Sequence, residues 1–152
     1  MFDPRSLRRL APILLLVILA TAAYLRFYNL DWDGGIFAHP DERSTVAFYA
    51  PTIKWPDNTA DLLDPRRSTL NPFWNVDTQE WRNYTYGHFP LYTLVWVAHL
   101  FTLLTPLIQS LGLPLDWIQF FTTAETGQGY ALIGRGLSAL ADVATVYLIF
   151  LI

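Results

Sequence analysis

Three apolar blocks, Leu10–Leu25, Phe89–Leu113 and Tyr130–Ile152, constrain this chain more than any other feature. A bilayer core about 30 Å thick takes about 20 apolar residues in a helix to cross. The second and third blocks reach that length, and the first does so once Phe27 and Tyr28 are counted with it. Composition agrees, because 53% of the 152 residues are hydrophobic and only 15% are charged, against about a quarter charged in an average soluble domain. The expected fold class is all-α and integral to a membrane. About three transmembrane helices would be joined by a long extracytoplasmic loop holding short interfacial helices.

Arg5, Arg8 and Arg9 precede the first block and place residues 1–9 in the cytoplasm by the positive-inside rule. Ala20-Thr21-Ala22 resembles a signal-peptide cleavage site, but the apolar run exceeds a usual signal core and two further spans follow. A retained first span over 10–28 is the better reading. Arg26 can snorkel toward the far interface, with Phe27, Tyr28 and Trp32 forming an aromatic belt there. Alternation then sets 29–88 outside, a second span over 89–110, a cytoplasmic connector over 111–129 and a third span over 130–152. The last block ends without a polar flank, so the sequence is expected to be the N-terminal piece of a longer polytopic protein of the plasma (inner) membrane.

The loop holds nine of the thirteen acidic residues, five of the ten basic ones, and Trp32, Trp55, Trp74 and Trp81. Tryptophans suit an interface, where the indole packs apolar and its N–H stays wet. Pro40–Ala50 reads as a short helix ending before Pro51, with Val46–Tyr49 supplying a side that could rest on lipid. Prolines break Ile53–Asn75 into irregular chain, and Asp77–Arg82 reads as another helical turn. Pro106 marks a kink or end of the second span, and Leu113–Phe121 an interfacial turn. A net charge of −3 and no basic run beyond Arg5–Arg9 argue against nucleic acid, and the lack of cysteine excludes disulfides and thiolate chemistry.

The acidic motif Phe37–Arg43, FAHPDER, follows the first span closely and carries the candidate chemistry. Asp41 and Glu42 have a plain reading as helix-start acids stabilised by the dipole, worth about 0.3–1 kcal/mol each. Their catalytic reading is limited by geometry, since adjacent helical residues point apart. One would act as base while the other orients a neighbour or binds sugar hydroxyls. His39 beside them admits a divalent metal, although H-P-D-E is not a recognised ligand spacing. Tyr86–Tyr92, YGHFPLY, is the second constellation, with His88 placed to face a lipid phosphate. Arg135, expected near the cytoplasmic end of the third span, needs no partner, whereas Asp142 near mid-membrane does, and His99 raises the same question more weakly.

A basic N-terminus, one span, an acidic P-D-E, a Trp-rich loop and a Gly-His-Phe-Pro-Leu-Tyr helix start together resemble the GT-C glycosyltransferases. Gly134–Leu148, GRGLSALADVATVYL, is similar to a span of the branch containing protein O-mannosyltransferases and bacterial aminoarabinose transferases. The resemblance implies transfer of a sugar from a polyprenyl-phosphate donor to an acceptor hydroxyl at the extracytoplasmic face. It implies Asp41 as base with Glu42 beside it, and His88 with Arg43 as candidates for the lipid phosphate. Its partners would be the lipid-linked donor, membrane lipids and an acceptor of unspecified class. Two other readings remain open from the residues: a non-catalytic membrane subunit with a docking loop, and part of a transporter whose pathway Asp142 and His99 line.

Overall fold

The computed structural model describes residues 4–152, with 4–9, 115 and 117 through the backbone alone. The side chains of Arg5, Arg8 and Arg9, on which the N-terminal orientation rests, lie outside the described set. In chain order the elements are α1 (Pro4–Phe27), α2 (Pro40–Arg43), β1 (Trp74–Asn75), β2 (Glu80–Trp81), α3 (His88–Ser110), α4 (Leu115–Thr122) and α5 (Gly127–Leu151). Among the described residues the only strands are the two-residue pair of the antiparallel ladder β1–β2; the other regular elements are helical.

Helices α1, α3 and α5 are long and apolar enough to cross a membrane, as the three blocks predict. None of the window Leu10–Phe27 is buried inside the protein, so its leucines and isoleucines need a covering that the chain does not supply. Pro90 sits in the first turn of α3, where its missing N–H costs nothing. Pro106 does not end that helix, which continues to Ser110.

The acidic segment is helical as expected but irregular. From α2 the chain passes into a π-helical turn, Ser44–Tyr49, and then a 3-10 turn, Ala50–Thr52, that accommodates Pro51. Of the side expected to rest on lipid, Val46 is instead buried in the protein, while Phe48 is exposed. The segment expected as a helical turn over Asp77–Arg82 is the end of a hairpin. Asn75 accepts the amides of Asp77 and Gln79, Gln79 takes a positive φ of 57°, and Trp74 pairs across the ladder with Trp81. Those two rings meet edge to face at 5.0 Å with the Arg66 guanidinium 5.5 Å from the first. Most of Leu113–Phe121, expected as an interfacial turn, lies in α4.

The chain divides into two compact units, Met1–Trp32 with Gly134–Ile152, and Asp33–Ile133. In the first, Arg26 near the end of α1 pairs with Asp142 at 3.0 Å. Farther along the same end, Arg135 donates to the Leu30 carbonyl at 2.6 Å and lies 5.3 Å from the Trp32 ring. Moving forward along α1 therefore matches moving backward along α5, and the two are antiparallel. Arg135 accordingly stands at the Phe27 end of α1. Asp142 has its partner within the chain.

The second unit packs around α3. Leu91, Leu94, Val95 and Ala98 form its buried face, joined in the core by Ala50, Ile53, Tyr130 and Ile133. Helix α3 rests on the Ala50–Thr52 turn and on α4, where Phe101 meets Phe120 and Phe121 at 5.6 and 5.0 Å. Each fully buried leucine or valine contributes about 1.5–3 kcal/mol, and it is this face of the helix that the loop packs on.

Candidate functional site

Asp33 sets the path of the chain into the acidic segment. Its carboxylate is buried and accepts the amides of Gly35 at 3.3 Å and Ala38 at 3.1 Å. The turn it closes needs positive φ at Gly34 and Gly35, which glycine adopts without steric cost. Phe37 also takes a positive φ, 53°, and its ring packs against Gly127. The chain is thereby delivered to Pro40, the first residue of α2, with Asp41 and Glu42 in the first turn.

Asp41 is joined to the second constellation directly. The Tyr86 hydroxyl donates to Asp41 Oδ1 at 2.7 Å, across forty-five residues of sequence. That bond to the carboxylate, helped by desolvation, raises the Tyr86 pKa above its ordinary value. Two further links fasten the same two segments. Tyr49 donates its hydroxyl to the Asn83 carbonyl at 3.1 Å, and Arg82 donates to Thr52 Oγ1 at 2.8 Å while lying 5.8 Å from the Tyr49 ring. Sequence reasoning overlooked both. Arg82 carries no motif, and only its place between the hairpin and YGHFPLY could have pointed to it.

Behind Tyr86 stands a cluster of rings. Tyr84 is buried and touches Tyr86, Tyr49 and Phe73 at centroid distances of 5.8, 4.8 and 6.0 Å. Burial, with Tyr49 adding to it, raises the Tyr84 pKa. His88, at the start of α3, lies 5.2 Å from Phe73, 6.0 Å from Tyr84 and 5.9 Å from Tyr92. A cation near such faces gains from the ring quadrupole. The predicted residues are thus brought together in part: Asp41 and His88 belong to one aromatic cluster, bridged by Tyr86 and Tyr84. Among the described residues neither His88 nor Arg43 forms a hydrogen bond or ion pair with Asp41. Glu42 lies in the same turn as Asp41 and is partly buried.

His39 precedes α2 without capping it through its side chain. Among the described residues no three His, Asp or Glu side chains converge to hold a metal ion, so His39, Asp41 and Glu42 do not form a ready ligand set. His99 meets Glu125 at 2.8 Å. No protein-family model matches the chain, and neither a curated protein nor a solved structure is significantly similar to it.

Proposed function

We propose that the chain is the N-terminal part of a membrane glycosyltransferase that moves a sugar from a polyprenyl-phosphate donor to an acceptor hydroxyl at the extracytoplasmic face. The observation that carries this reading is the bond from Tyr86 to Asp41 Oδ1. It ties the acidic motif to the segment expected to meet the lipid phosphate, and a helix-start acid has no need of such a tie. Tyr86 fixes the carboxylate and leaves Oδ2 to take a proton. The acceptor oxygen attacks the anomeric carbon, its proton passes to Asp41, and the bond from that carbon to the phosphate oxygen breaks. The phosphate leaves with the electron pair, so no general acid is required. Charge on the leaving phosphate has to be met by cations or dipoles, and Arg43 and His88 are the groups proposed for it. Glu42, on an adjacent helical position, is assigned to sugar hydroxyls or to orienting a neighbour.

A docking role for the loop is the second reading, favoured by the exposure of Trp32, Trp55 and Trp81. A pathway lined by Asp142 and His99 has less support, because Arg26 and Glu125 account for both. The reaction itself separates the first two. The complete protein, reconstituted with polyprenyl-phosphate mannose or a polyprenyl-phosphate pentose and a membrane extract as acceptor source, is expected to release polyprenyl phosphate and label an acceptor. Binding of the extract without consumption of either donor would favour docking and reject transfer.

A further inference from the structure

The turns that follow Asn58 build a groove on the Asp33–Ile133 unit. Asn58 Oδ1 accepts the Ala60 amide at 3.0 Å and so caps the 3-10 turn Thr59–Asp61. Asp64 and Pro65 open the next turn, in the positions where a type I turn favours them. Asp64 Oδ1 accepts the Arg66 amide at 2.8 Å, and the Asp64 carbonyl accepts those of Arg67 and Ser68. The hairpin adds Val76 and Gln79 to the lining. The space enclosed is about 720 Å³, within the range of about 300–1,000 Å³ usual for small-molecule sites.

The lining is polar except for Val76, and its charges cancel, Asp61 and Asp64 against Arg66 and Arg67. Both cations are already engaged. Arg67 donates to Asp61 Oδ1 at 3.2 Å, and the Arg66 guanidinium lies 5.5 and 5.9 Å from the Trp74 and Trp81 rings. Hydrogen-bonding capacity of both kinds is left over, because a guanidinium carries five N–H donors and a carboxylate about four acceptor sites. Asn58 keeps its amide donors, while Gln79 gives Nε2 to the Val76 carbonyl at 2.6 Å and keeps Oε1. Donors and acceptors therefore share one space. An anion would satisfy the donors alone and meet two carboxylates. A hydroxyl donates and accepts at once, so neighbouring hydroxyls of a sugar ring match both. Trp81 supplies a platform beside them. It is 62% exposed although it packs edge to face on Trp74, which leaves apolar ring surface near Arg66 for the C–H side of a pyranose.

We infer that this groove binds a neutral glycan chain, separately from the Asp41 cluster, none of whose residues lines it. Trp81 stacks on the sugar, Arg67 and Asn58 donate to its hydroxyls, and Asp61, Asp64 and Gln79 accept from them. The inference does not rest on sugar transfer, since binding here needs neither a lipid-linked donor nor turnover.

The test is calorimetric titration of the complete protein, in a detergent without a sugar headgroup, with mannopentaose, cellopentaose and an oligouronate of similar length. At least one neutral probe is expected to bind in preference to the uronate. Trp81→Ala and Arg67→Met should each weaken that binding about tenfold, the weight of one aromatic stack or one charge-assisted hydrogen bond. The Arg67 side chain is 70% exposed, so Arg67→Met carries the test if Trp81→Ala unsettles the hairpin. No binding of either neutral probe, or binding unchanged by Arg67→Met, would overturn the inference. Preference for the uronate would overturn it in favour of an anion site.

Discussion

Tyr86 holds one oxygen of the Asp41 carboxylate, and the bond leaves a signature at high pH. Its hydroxyl pKa lies above the ordinary value, first because of that bond and then because of desolvation. A group whose pKa is raised on folding contributes its full stability below the unfolded value, about 10 for tyrosine, and loses it as pH climbs through the raised value. Tyr86→Phe removes the contribution. Thermal melts of the native protein and this variant should therefore differ at about pH 8, and the gap should shrink as pH rises past about 10. A gap that stays constant across that range would show that the bond is not what stabilises. The acid itself was legible in the sequence, because Pro-Asp-Glu is both helix-start grammar and a motif. Its partner was not, because nothing local reports which of several tyrosines a turn forty-five residues away presents.

Gly129 shows how closely elements are joined at the start of α5. A Cβ there would run into the carbonyl oxygens of Thr123 and Ala124, backbone atoms that cannot rotate aside. Gly129→Ala should destabilise the loop unit by about 1–3 kcal/mol, the usual cost of overpacking. Gly136, farther along the same helix, has nothing within 4 Å of an added Cβ. Gly136→Ala should instead be neutral or stabilise by up to about 1 kcal/mol through helix propensity. Tryptophan fluorescence during thermal unfolding in detergent compares the two, and equal melting temperatures would contradict the packing. The long helices were readable from apolar block length, and α2 from Pro40 with two acids behind it. Helix α4 was missed because eight residues rarely hold a helix unaided, and the rings of Phe101, Phe120 and Phe121 that support it are a tertiary contact. The hairpin was misread for a similar reason. Its register rests on the Trp74–Trp81 pair and on Gln79 at positive φ, neither of which periodicity reveals.

Across the whole molecule, charge placement in apolar helices says more than hydropathy. Asp142 in an apolar run announces that a partner is needed, but sequence does not say that the partner is Arg26. The Arg26–Asp142 and Arg135–Leu30 contacts supply the direction that hydropathy lacks. What the loop unit presents in consequence is an acid held by a tyrosine, backed by His88 and its rings. The claim that this assembly performs sugar transfer is tested most directly by turnover in the complete protein carrying Asp41→Asn, with Glu42→Gln beside it. Asparagine keeps the size and can still accept the Tyr86 bond, but it cannot take the acceptor proton. General-base contributions run about 10²–10⁴-fold, so kcat should fall by that range with donor binding and melting temperature near native, and Glu42→Gln should be milder. Undiminished turnover by a folded, donor-binding Asp41→Asn protein would contradict the assignment.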